Sequence, residues 1–186
     1  MECQILVRHS FFTFTQKMIS KKDIIASEFY QRYIDLVEGD EVLKGLRQSS
    51  KQFKKLLKKI PKNKIDFAYA PGKWTIKELL QHVIDAERVF SYRALRFARK
   101  DPTPLPGFEE KEWAANAQID NRKWSDLVEE FESVRKSTEL LFESLKADQL
   151  LASGTASNHS INVLGLGYVC SGHVFHHINI IKERYL

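Results

Sequence analysis

The chain has 186 residues, 43% hydrophobic and 28% charged, with a formal net charge of +5. At about 150 residues per domain this is one globular unit. The composition excludes a disordered, collagen-like or purely coiled-coil chain, and no uncharged apolar run approaches the roughly 20 residues of a membrane-spanning helix.

The two cysteines, Cys3 and Cys170, make no disulfide framework, so a reducing, cytoplasmic compartment is expected. Residues 1–25 read as an N-terminal extension and residues 26–186 as the domain. Glu2 opens the chain, Arg8 and His9 interrupt its first apolar run, and no Ala-x-Ala site follows. A secretory signal is therefore not expected. Met18 precedes a more typical globular sequence, so the extension is expected to be disordered or to lie upstream of the natural start.

Residues 24–37 form a short amphipathic stretch. The first strong helical pattern covers 41–59, where Leu43, Leu46, Ser50, Phe53, Leu57 and Ile60 step alternately by three and four, the spacing of one helix face. Between Leu43 and Ile65 fall nine basic residues, from Lys44 to Lys64, with no acid among them. Nine exceeds the net charge of +5, so the excess is one local stripe and the remainder is slightly acidic. No aromatic residue interleaves the stripe except Phe53, which belongs to the apolar seam. A solvated helix face is the expected reading, and a nucleic-acid partner is not expected.

Pro61 and Pro71-Gly72 punctuate the connection to a second helix over 75–99. Thr75 and Glu78 have the spacing of a capping box. Ile76, Leu79, Leu80, Val83, Ala86, Phe90, Ala94 and Phe97 carry its apolar stripe. Residues 101–122, with three prolines and Gly107, are far longer than a turn between antiparallel neighbours needs. Extended, they reach about 70 Å, against about 36 Å for a 24-residue helix. That length allows the chain to run back along the bundle, so the second and third helices can lie parallel. The third helix is predicted over 123–146, with its seam at Leu127, Phe131, Val134, Thr138, Leu141 and Leu145. The fourth is predicted over 162–185, where Gly165 and Gly167 either permit a close backbone approach or fray the first turns. The predicted fold is all-α: an up-down-down-up four-helix bundle with a long crossover between helices two and three.

Three of the six histidines have positions that can make a site. His173 and His177 are four apart on the fourth helix, so they project from one face, and His82 stands beside the apolar stripe of the second. Spacing alone leaves two readings open: satisfied core histidines, or three imidazoles converging on one metal ion with coordination positions left for water or substrate. His176 points about 100° away from His177 and reads as a neighbour, His159 as a surface or capping residue, and His9 lies in the extension.

The run from Lys73 to Arg88, followed by Ser91 to Arg96 and Leu105 to Phe108, resembles the second-helix signature of the DinB/YfiT-like superfamily. Gly172 to His177, followed by Ile181 to Leu186, resembles its closing helix. The resemblance implies a four-helix bundle with one divalent metal held by His82, His173 and His177, and a homodimer. Zinc or nickel is the expected ion, with iron and manganese as further candidates.

Around that site the catalytic candidates are Arg93, Glu78 and Asp85. Arg93 lies eleven residues after His82, within about 20° of its face, placed for a substrate carboxylate or for an ion pair at the bundle end. Glu78 and Asp85 could orient an imidazole, or serve as a cap and a solvated salt bridge. Cys170 reads as a buried small hydrophobe. Trp74, Trp113 and Trp124 read as packing residues, Trp113 with a part in a lid or subunit contact. The expected function is metal-dependent activation of a thiol or water for a small-molecule substrate, as a thiol S-transferase or a hydrolase. The competing expectation is a non-catalytic, stress-related protein that binds metal or a low-molecular-weight thiol. No membrane partner is expected.

Overall fold

The computed structural model describes residues 19–186, so Cys3, His9 and Met18 lie outside the described residues. The helices are α1 (Glu28–Ile34), α2 (Val42–Leu57), α3 (Ile76–Ala98), α4 (Glu110–Asn116), α5 (Trp124–Ser144), α6 (Ala147–Leu150) and α7 (Val163–Arg184), with strands β1 (Ser153–Ala156) and β2 (His159–Asn162) before the last helix. The four long helices match the four periodic segments. Among the described residues, no helix is long and apolar enough to cross a membrane.

The helices form a ring in the order α2, α7, α3, α5, and their side-chain pairs fix the directions. Gln81 meets Arg122 just before α5 and Arg88 meets Glu130, so α3 and α5 run parallel. Arg47 pairs with Glu143 and Lys54 with Glu132, so α2 and α5 are antiparallel. Gly45 lies against Ser171 and Gly167 against Val42, so α2 and α7 are parallel. The bundle is up-down-down-up, and residues 101–122 are its crossover. That crossover is not bare loop: α4 forms within it, and Trp113 of α4 packs on Phe108 with ring centroids 4.7 Å apart while staying half-exposed.

The helix starts follow from their caps. Thr75 Oγ1 accepts the Glu78 amide at 3.1 Å, and the Glu78 carboxylate accepts the Thr75 amide at 2.6 Å. Asn162 accepts the Gly165 amide at 2.9 Å, so the first turn of α7 is capped rather than frayed. Gly167 provides close approach: a Cβ there would run into Val42 and the Phe142 ring.

The β-hairpin was not predicted. Ser157 and Asn158 both adopt positive φ, 53° and 64°, as a tight two-residue turn requires. Its strands tie down two distant segments. Ala26 bridges to Ile161 and Leu105 to Ala156. Of the stretch assigned to the extension, residues 19–25 are described and bound to the domain. The Asn162 amide donates to Ile25 O at 2.8 Å and its side chain to Asp23 O at 2.9 Å.

Two apolar clusters fill the bundle. One, toward the hairpin, centres on Tyr30, Phe97, Tyr168 and Leu46; the other on Phe53, Leu80, Phe131 and Ile181. A polar layer lies at their junction along every long helix. Arg135 of α5, fully buried, donates to both Glu87 carboxylate oxygens at 2.7 and 2.6 Å, to Ser49 Oγ at 2.7 Å, to Leu46 O at 2.8 Å and to Cys170 O at 3.1 Å. One guanidinium thus touches α2, α3 and α7 from α5. The predicted α5 seam needs correction here: Arg135, rather than Val134, takes the fully buried position. It is stable there because each charge has its partner.

Candidate metal centre

The antiparallel contact of α3 with α7 brings the three histidines together. His82 stands in the second turn of α3, and His173 and His177 share one face of α7. His82 Nε2 and His177 Nε2 each lie 3.1 Å from His173 Nε2, and all three side chains are buried. Packing holds the rings. Trp74 lies 4.7 Å from the His82 ring, and Tyr33 and Phe90 stand edge-on to His173 at 5.4 and 5.6 Å. Gly172 lets α1 come close enough for this, because a Cβ at 172 would overlap the Tyr33 carbonyl.

Burial, the largest cause, lowers the basicity of all three imidazoles. His82 is brought down to about 4, with His176 adding to the effect, and His173 and His177 fall well below the usual histidine value. All three are therefore neutral at neutral pH, the form that ligates metals. Neutral rings satisfy one another only in part: His173 Nε2 carries either one lone pair or one N–H and must share it between two neighbours. A cation at the point of convergence would instead take one lone pair from each ring. Nitrogens bound to one ion at roughly 2.0–2.1 Å sit about 2.9–3.4 Å apart for coordination angles from 90° to tetrahedral, and the two 3.1 Å spacings fall in that range. The donor set thus fits a divalent ion. His177 Nδ1 is buried without a hydrogen-bond partner among the described residues, so packing against the His82 and His176 rings, at 5.0 and 5.1 Å, orients it instead.

A cavity of about 510 Å³ opens onto the three imidazoles. Trp74, Tyr33 and Tyr185 form aromatic wall, while Lys73, Lys111 and Glu110 bring charge. His176 also lines it, half-buried, and is not part of the cluster. Cys170 is buried, its thiol pushed up by burial, and lies outside the cluster.

The three catalytic candidates take other places. Glu78 is engaged by Thr75 through the cap and through the Thr75 hydroxyl at 2.9 Å. Asp85 accepts from Gln81 at 2.9 Å and pairs with Arg88 at 3.5 Å, with burial raising its carboxyl. Neither is hydrogen-bonded to a histidine among the described residues. Arg93 is buried and not in a bundle-end ion pair: its Nη2 donates to Pro106 O and Ser157 Oγ, both at 2.8 Å. His159 is half-buried on β2 and stacks on Phe29 at 4.3 Å. Sequence reading missed Tyr33, Phe90, Lys111 and Tyr185 as site residues. Phe90 alone carried a local signal, two turns after His82 on the same helix.

The family model of the DinB superfamily matches residues 46–181. Among solved structures, YfiT from Bacillus subtilis, described as a probable metal-dependent hydrolase with an unusual four-helix bundle topology, is similar with a TM-score of 0.65. The similarity covers 86% of this chain and 87% of that one at 18% identity, a likeness of fold. No curated protein matches the sequence.

Proposed function

The chain belongs to the DinB superfamily, and from that premise we propose that it is a metal-dependent enzyme whose divalent ion is held by His82, His173 and His177. The observation that carries this reading is the convergence of three buried, neutral Nε2 atoms at the floor of a cavity. Zinc or nickel suits three imidazoles best, with iron and manganese as further candidates. Such an ion supplies Lewis acidity, bringing the pKa of a water or thiol toward neutrality.

The protein's own residues supply shape and charge. Trp74, Tyr33 and Phe90 pack on the histidine rings and hold them against movement. The volume of about 510 Å³ suits a small molecule. Lys73 and Lys111 place positive charge on its walls. A hydrolytic reaction is the first reading, supported by the description of YfiT; transfer of a low-molecular-weight thiol to an electrophile is the second, supported by the superfamily resemblance.

The test is turnover of an ester and amide panel, and of small thiols with monochlorobimane, by metal-loaded and chelated protein. Loss of turnover on chelation, with recovery on adding a divalent ion, is expected in one of the two panels. Undiminished turnover in the His82→Ala/His173→Ala double variant would contradict the assignment. Metal retention without turnover in either panel would instead mark a binding protein.

A further inference from the structure

Behind the histidine cluster lies a second, smaller cavity of about 60 Å³. Arg93, Arg32, Phe29, Tyr30, Phe90 and Phe108 line it. Arg93 is 3% exposed, and its hydrogen bonds go to a carbonyl and a hydroxyl, both neutral. No carboxylate pairs with Arg93 or Arg32 among the described residues. Arg32 instead lies over the Tyr33 and Phe29 rings, at 4.7 and 5.3 Å. A buried guanidinium without a counter-charge is costly to keep. The fully buried Arg135, by contrast, has the Glu87 carboxylate as its partner.

We propose that this cavity is an anion subsite that takes a carboxylate group between Arg93 and Arg32. A guanidinium presents N–H donors in a planar fork that matches a carboxylate. Both hydrogen bonds of Arg93 leave from Nη2, so its Nε and Nη1 remain for a ligand. The space suits a carboxylate group and not a ring, while the phenyl walls exclude water and strengthen the charge interaction. Glu110 lines the same cavity from the exposed face of α4. It bonds neither arginine, so its negative charge opposes the anion without replacing it.

The subsite adjoins the histidine cavity. Tyr33 and Glu110 line both, and Phe90 forms the wall between Arg93 and the His173 ring. The carboxylate can therefore belong to a small free anion or to one end of a substrate whose other end lies at the histidines. The subsite stands on the two arginines and not on metal binding, so the two assignments can fail separately.

The test titrates acetate into the full chain at constant ionic strength, metal-loaded and chelated, and reads saturation transfer to the acetate methyl. Acetate is expected to bind in both states. Arg32→Gln and Arg93→Lys should each weaken it by about tenfold, the scale of one charge-assisted hydrogen bond, and Glu110→Gln should tighten it. Arg32 is exposed, so its variant keeps the test valid if an Arg93 substitution disturbs folding. A comparison of propionate with 3-mercaptopropionate separates the two sources. Tighter binding of the thiol acid only when metal is loaded marks a substrate spanning both cavities, and equal binding marks a free anion. No acetate binding, binding lost on chelation, or binding unchanged in both arginine variants would overturn the proposal.

Discussion

Each of the three histidines is held neutral by burial, and this has a consequence for stability that needs no substrate. His82 has its pKa brought down to about 4, below the unperturbed value near 6.5, and His173 and His177 shift the same way. In that range the unfolded chain binds more protons than the folded one, so stability rises with pH. The stabilisation is present above about 6.5 and is lost as pH falls toward 4. Metal-free protein is predicted to lose thermal stability steeply over that interval, measured by melting temperature against pH. A flat profile there would show that the imidazoles are not held neutral. At this scale the sequence was legible where spacing decides, since i,i+4 places His173 and His177 on one face. Spacing could not show that the Arg93 guanidinium ends on Pro106 and Ser157, because those partners come from the crossover and an unpredicted turn.

Among the elements, the helices were legible and the hairpin was not. A periodic face of 16 to 23 residues is a long signal, whereas four-residue strands carry almost none. The hairpin's turn residues, Ser157-Asn158, lack the glycine that usually marks such a turn. The packing of α1 on α7 was likewise invisible, since it depends on a missing Cβ. Gly172→Ala is predicted to push α1 from α7 and displace Tyr33 from the His173 ring. We expect a destabilisation of about 1–3 kcal/mol from overpacking, read by chemical denaturation, together with weaker metal retention. A variant as stable and as metal-competent as the parent would show that the α1 contact does not position the site.

Over the whole molecule, the polar layer between the two apolar clusters ties α5 to the other three long helices through Arg135. The seam predicted from spacing runs through Val134 and does not include Arg135: an arginine is rarely buried unless paired, and its partner Glu87 lies 48 residues away. Arg135→Met leaves the Glu87 carboxylate buried and unpaired, at a cost of about 3–5 kcal/mol. The Glu87→Leu/Arg135→Met double variant removes both charges and should recover most of that loss. Equal destabilisation in single and double variants would show that the ion pair is not what the single variant breaks. The layer meets α7 at Cys170, about one turn before His173, so the same four-helix arrangement that buries Arg135 also sets the facing of α3 and α7 on which the site depends. The most direct measurement is the metal content of the purified full chain, by elemental analysis, beside the His82→Ala/His173→Ala double variant. One divalent ion per folded parent chain, with none in the folded double variant, is the predicted result; a parent without bound metal after divalent-ion loading, or a double variant that keeps its ion, would contradict the account.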